Sequence, residues 1–144
     1  MKAVHLLDTS ALLTHLLQEN GSDTVDRCLS VEGGRSAISV ISWVQFHLFL
    51  TRSDYSKSDA SKILGFYRAA LGSPLPIDDD VGLAAILLRA QSPTRIHLTD
   101  LLIAACAKTH GMKLVYRDKH MEGIPEKALP QIKLPPKTRL ENFK

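Results

Sequence analysis

The chain has 144 residues, 44% of them hydrophobic and 23% charged, which suffices for one globular domain with a sizeable core and is too little for two ordinary ones. Its formal charge of +3 permits a nucleic-acid partner without requiring one. No apolar run approaches the roughly 20 residues of a membrane span, and the start breaks at Asp8 before a signal-peptide core could form, so the expected setting is the cytoplasm, away from any membrane. Cys28 and Cys106 sit in helical-looking apolar segments without CxxC or Cys/His ligand spacing and read as free thiols.

In chain order, Val4 to Leu7 reads as a buried strand and residues 10–20 as a helix ended by Gly21. The stretch "SDTVDRCLS" follows as a short helix capped by Ser22, then a turn at Gly33 and Gly34. "SAISVIS" is predicted as a second strand, followed by an apolar-aromatic helix from about Trp43 to Thr51, in which Trp43, Phe46 and Phe49 recur at helical spacing and suit a core face or an interface. "SKSDASKILGFYRAALG" reads as an amphipathic helix closed by Gly72, "LPI" as a short third strand and residues 79–91 as a further helix. Thr99 is predicted to cap a helix whose stretch "LLIAACA" is apolar all round and hence buried, with Gly111 at its end. "KLVYRD" is a fourth strand and "QIKLP" an edge strand, and residues 136–144 read as a loose tail after Pro135 and Pro136. Strands alternating with helices predict one α/β domain over residues 1–144: three layers, with a mainly parallel sheet of about four to five strands.

The acids can be placed on that frame. In an open parallel sheet the functional crevice lies outside the carboxyl ends of the strands, and Asp8 ends the first one. From Asp100 the chain descends a helix to His110, about 15 Å at helical rise, and climbs a strand from Lys113 to Asp118, about 17 Å at strand rise. Asp118 therefore returns beside Asp100. Gln45, in the first turn or so of the helix after the second strand, faces the same edge, so four positions converge and three of them are acidic.

"LLDTSALL", "SVISWVQFHLF", "LTDLLIAACAKTHG" and "LVYRDKHM", in this order and spacing, resemble the PIN domain, and the short single-domain form resembles the VapC-type toxin of bacterial toxin-antitoxin pairs. The resemblance implies a metal-dependent ribonuclease, with Mg²⁺ or Mn²⁺ held by Asp8, Asp100 and Asp118, RNA as substrate and an antitoxin protein as partner. Where that family's helix usually carries Glu, this chain has Gln45, and Tyr116 stands where Thr or Ser is common. The chemistry agrees with the acids: such ions prefer oxygen ligands, keep several waters, and need only one or two direct carboxylates. A cation of this kind activates water and offsets the repulsion between clustered carboxylates and a phosphodiester.

Each acid also has a purely structural reading, Asp8 as a helix cap, Asp100 as a first-turn acid and Asp118 as an Asx-turn, and it is their convergence that points to a metal. Ser10 and Arg117 are the expected contacts to RNA, with Arg95 and His97 also flanking the acids. The two helices after the second strand carry enough apolar surface to predict a homodimer and an antitoxin groove. Two enzyme classes are disfavoured: a phospho-receiver would carry an adjacent acid pair after the first strand, and a haloacid-dehalogenase relative would have an Asp where Ser10 stands. The alternative function is a catalytically impaired PIN-fold module that binds RNA or protein, because Gln45 is neutral.

Overall fold

The computed structural model describes residues 3–30 and 34–138. The elements are β1 (Ala3–Leu7), α1 (Thr9–Leu16), α2 (Ser22–Leu29), β2 (Arg35–Ala37), α3 (Val40–Arg52), α4 (Lys57–Leu71), α5 (Asp79–Gln91), α6 (Leu98–Thr109), β3 (Lys113–Tyr116), a 3-10 turn at Lys119–Met121, and β4 (Gln131–Lys133). The four strands are all parallel, in the order β2-β1-β3-β4, so the two most apolar strands, β1 and β3, lie side by side at the centre. The fold is the α/β arrangement expected from the alternation of strands and helices.

Successive side chains of a strand face opposite sides of a sheet, and here they divide the core in two. Leu6, Leu114 and Tyr116 pack with α5 and α6, where Ile103 to Ala107 are buried on every side of α6. Leu7 and Val115 pack with α1 to α4 around Phe46, Leu50 and Tyr67, with Trp43 and Phe49 at the edge of that cluster. Cys28 and Cys106 are both buried free thiols, as their spacing implied. No helix of the described residues is long and apolar enough to cross a membrane.

Several local expectations give way to capping chemistry. The second strand stops at Ala37, because the Ser39 hydroxyl accepts a hydrogen bond from the Ser42 amide (3.1 Å) and so starts α3 three residues ahead of Trp43. "LPI" is no strand but a single bridge between Ser39 and Leu75, flanked by Pro74 and Pro76, which cannot donate to a ladder. Gly21, at φ +100°, caps α2 in place of Ser22, which is the first helical residue. Thr99 likewise lies inside α6, whose N-cap is His97 without a side-chain cap bond. The predicted turn at Gly33 falls outside the described residues; Gly34 has φ +88°.

The C-terminal segment is not loose as far as Lys137. Asn20 donates to the Pro136 carbonyl (3.1 Å), Lys137 pairs with Glu19 (3.4 Å), and a Cβ at Gly21 would lie 3.0 Å from the Pro135 ring, so a glycine there lets the segment lie against the α1–α2 turn.

Candidate active site

Asp8 leaves the end of β1 with its amide still in the sheet, donating to the Val115 carbonyl at 2.9 Å. Its backbone then turns to start α1, and its carboxylate accepts from the Ser10 amide (3.2 Å) and the Ser10 hydroxyl (2.6 Å). The capping role and the site role coexist in this one side chain. It is only 4% exposed, and burial pushes its pKa above the ordinary 3.8; the Ser10 hydrogen bonds oppose that shift and the charge of Asp100 adds to it.

The Ser10 hydroxyl is the joint of the site. Besides donating to Asp8, it accepts from the amides of Arg117 (2.9 Å) and Asp118 (3.3 Å), and so ties the end of β1 to the chain just past β3. Asp118 accepts from the His120 amide (3.0 Å), the Asx-turn its position suggested, and its carboxylate also meets His120 Nδ1 at 3.1 Å. Asp100 lies in the first turn of α6. Its pKa is raised by burial first and by the charge of Asp118 next, while His120 and His97 pull it back down. The charges thus act pairwise, Asp100 on Asp8 and Asp118 on Asp100.

Gln45 also reaches the site, one turn further into α3 than expected, with its side-chain oxygen 2.5 Å from the Thr9 hydroxyl. Tyr116 does not: it belongs to the α5–α6 side of the core, where its hydroxyl donates to Gln131 at 3.1 Å. Arg117 is placed differently from its expected contact with RNA. Its guanidinium donates to Glu19 (2.7 Å) and to the Asn20 carbonyl (3.1 Å), and both charged side chains are nearly buried, at 12% and 5% exposure. The Ser10 hydroxyl is similarly committed to protein partners.

Sequence reasoning missed two participants. His120 stands against Asp118 and in edge contact with the His97 ring, 5.2 Å between centroids, and its signal was a histidine two residues after an acid in "RDKH". Glu19 gave no signal, because its partner lies 98 positions away.

The donor set suits a hard divalent ion. Buried, mutually repelling carboxylates have their ionised forms disfavoured, and a cation among them reverses that penalty. Among the described residues no group of three or more His, Cys, Asp or Glu is arranged to ligate one ion directly. A hydrated divalent ion needs only one or two direct carboxylates, so Asp8, Asp100 and Asp118 could serve it partly through its waters.

The family model for the PIN domain matches residues 5–127. The chain belongs to the PIN domain family. No curated protein matches it closely. Among solved structures this PIN domain is similar to VapBC2 from Rickettsia felis, at 21% identity and TM-score 0.73 over 90% of this chain and 98% of that one. It is also similar to VapBC from Salmonella typhimurium (20%, TM-score 0.71, 92% and 98% covered). A third is VapBC-5 from Mycobacterium tuberculosis (21%, TM-score 0.65, 91% and 98% covered), described as a member of a toxin-antitoxin family. At these identities the likeness is one of fold.

Proposed function

We propose that this PIN domain is a metal-dependent endoribonuclease and the toxin of a toxin-antitoxin pair. The observation that carries the reading is that Asp8 and Asp118, at the carboxyl ends of β1 and β3, are joined through the Ser10 hydroxyl, with Asp100 in the first turn of α6 close enough for its charge to act on Asp8 and for that of Asp118 to act on it. Asp8, Asp100 and Asp118 would hold Mg²⁺ or Mn²⁺, which when bound supplies an activated water and charge neutralisation at the phosphodiester. Ser10 fixes the spacing of two of the acids. Gln45 offers an oxygen without the charge of a fourth carboxylate. His97 and His120 sit beside the acids, where their ring nitrogens can donate to a phosphate.

The antitoxin partner rests on the toxin-antitoxin assemblies among the structural relatives. The homodimer rests on apolar surface. On α3 this is Val40, Val44 and Leu48, but a more exposed face lies on α5 and α6, where Ile86 and Leu98 are 68% and 69% exposed. Sedimentation should give a dimer that Ile86→Glu with Leu98→Glu dissociates; a monomer at high micromolar concentration would remove that part of the reading.

The functional test is cleavage of total RNA over a magnesium titration, with Asp100→Asn as the blank. Magnesium-dependent cutting that disappears in the blank is expected. RNA binding without cutting by the parent chain, at any magnesium concentration, would instead favour the binding-module alternative.

A further inference from the structure

Asp118 and the chain around it just past β3, the 3-10 turn, the end of β4 and the C-terminal segment line a cleft of about 590 Å³. Its walls carry Arg117, Lys119, Lys133 and Lys137 against only Asp118 and Glu122. The cations differ in availability. Arg117 is committed to Glu19, Lys119 is exposed, and Lys133 and Lys137 are about half exposed in ion pairs with Glu122 and Glu19. The Lys133–Glu122 pair is solvated on both sides and holds its lysine weakly, and Glu19 keeps Arg117 as its partner at 2.7 Å when Lys137, at 3.4 Å, leaves it, so both lysines can turn to another anion. Arg117 is thus part of the wall, and the three lysines are the groups able to take up a ligand.

Building on the ribonuclease reading above, we propose that this cleft is a backbone subsite: Lys119, Lys133 and Lys137 bind a phosphate of the RNA strand flanking the one presented to the acids. Three features favour a nucleic-acid backbone over an acidic protein segment. The cleft opens directly beside Asp118, so a strand lying at the acids continues into it. The cations come from three separate segments, the 3-10 turn, β4 and the C-terminal segment, and line one cavity instead of scattering over a helix face. The tail beside the cleft is held independently of Lys137, by Asn20 donating to the Pro136 carbonyl, which gives the subsite a fixed floor. A carboxylate cluster by itself repels a polyanion, and a bound divalent ion offsets that only locally. A basic cleft one step away supplies the missing attraction for the neighbouring phosphates.

The test is binding of a single-stranded RNA oligonucleotide at several salt concentrations, in an Asp100→Asn background so that nothing is cut. Each phosphate that the protein ceases to neutralise lowers the slope of log K against log salt by about 0.7. Replacing Lys119, Lys133 and Lys137 with Ala should therefore reduce the slope by about 0.7, the share of the one phosphate they hold, and the affinity by about 10-fold. The corresponding triple Arg variant should retain both, which separates charge from folding, and Lys62→Ala on α4 should change neither. Equal slope and affinity in the parent and the triple Ala variant would overturn the subsite while leaving the ribonuclease reading intact. So would a triple Ala variant that no longer forms an antitoxin complex but binds RNA as the parent does. If the slope falls as expected but the parent chain cuts no RNA with magnesium, the subsite stands and the ribonuclease reading fails.

Discussion

The Glu19–Arg117 pair decides whether Arg117 serves the substrate or the scaffold. Glu19 is 5% exposed and Arg117 12%, their contact is 2.7 Å, and Arg117 also donates to the Asn20 carbonyl. Removing one partner of a buried pair strands the other charge, which costs about 3–5 kcal/mol. At about 3 °C per kcal/mol for a chain of this length, Arg117→Met should lower the melting temperature by about 10–15 °C. Glu19→Leu should cost a similar amount, since it strands Arg117 and releases the exposed Lys137. The double variant Glu19→Leu with Arg117→Met leaves no stranded charge and removes Arg117 Nε, which is buried without a partner, so most of the loss should be recovered. Urea denaturation of the four proteins closes the cycle, with unchanged m-values as the check that only stability moved. Because Arg117 directly precedes Asp118, the single variants should also slow cleavage. Arg117→Met within about 0.5 kcal/mol of the parent, the range of an ordinary surface change, would mean that Glu19 does not hold this guanidinium and would return it to the RNA.

Two further predictions concern the acids. Gln45→Glu should bind Mn²⁺ about 10- to 100-fold more tightly, the range of outer-shell changes at metal sites, and melt lower than the parent when metal-free; metal titration followed by thermal melting measures both. Asp8 and Asp100 have folded-state pKa values raised above 3.8, chiefly by burial, so the protonated forms are favoured by folding and their stabilisation is complete below about that pH. It is lost as pH rises through the raised values, so the melting temperature of metal-free Asp100→Asn relative to the parent should climb as pH rises above about 3.8; a flat difference would mean that burial and the neighbouring acids do not disfavour the ionised carboxylates.

The central strands and the three acids were legible because each rests on a short-range pattern. An apolar run ending in Asp8, and a helix followed by a strand of matched length from Asp100 to Asp118, fix positions by rise per residue alone. What misled was competition between cap and strand chemistry. Ser39 sits in a stretch of β-branched and apolar residues that suits a strand, yet its hydroxyl caps α3, and tertiary packing settles which propensity wins. The commitment of Arg117 to Glu19, and the tail held by Asn20 and Glu19, join residues about a hundred positions apart, a separation that no local pattern encodes. Of the site's contacts, His120 against Asp118 was the most readable of those missed, since only two residues separate them.

Whether Asp8, Asp100 and Asp118 share one cation can be tested without any RNA. Calorimetric titration of the metal-free chain with Mn²⁺ should give one ion per protein, and Asp8→Asn, Asp100→Asn and Asp118→Asn should each weaken it about 10-fold or more. Binding that is the same in the parent and all three variants, or no binding by the parent, would contradict the account.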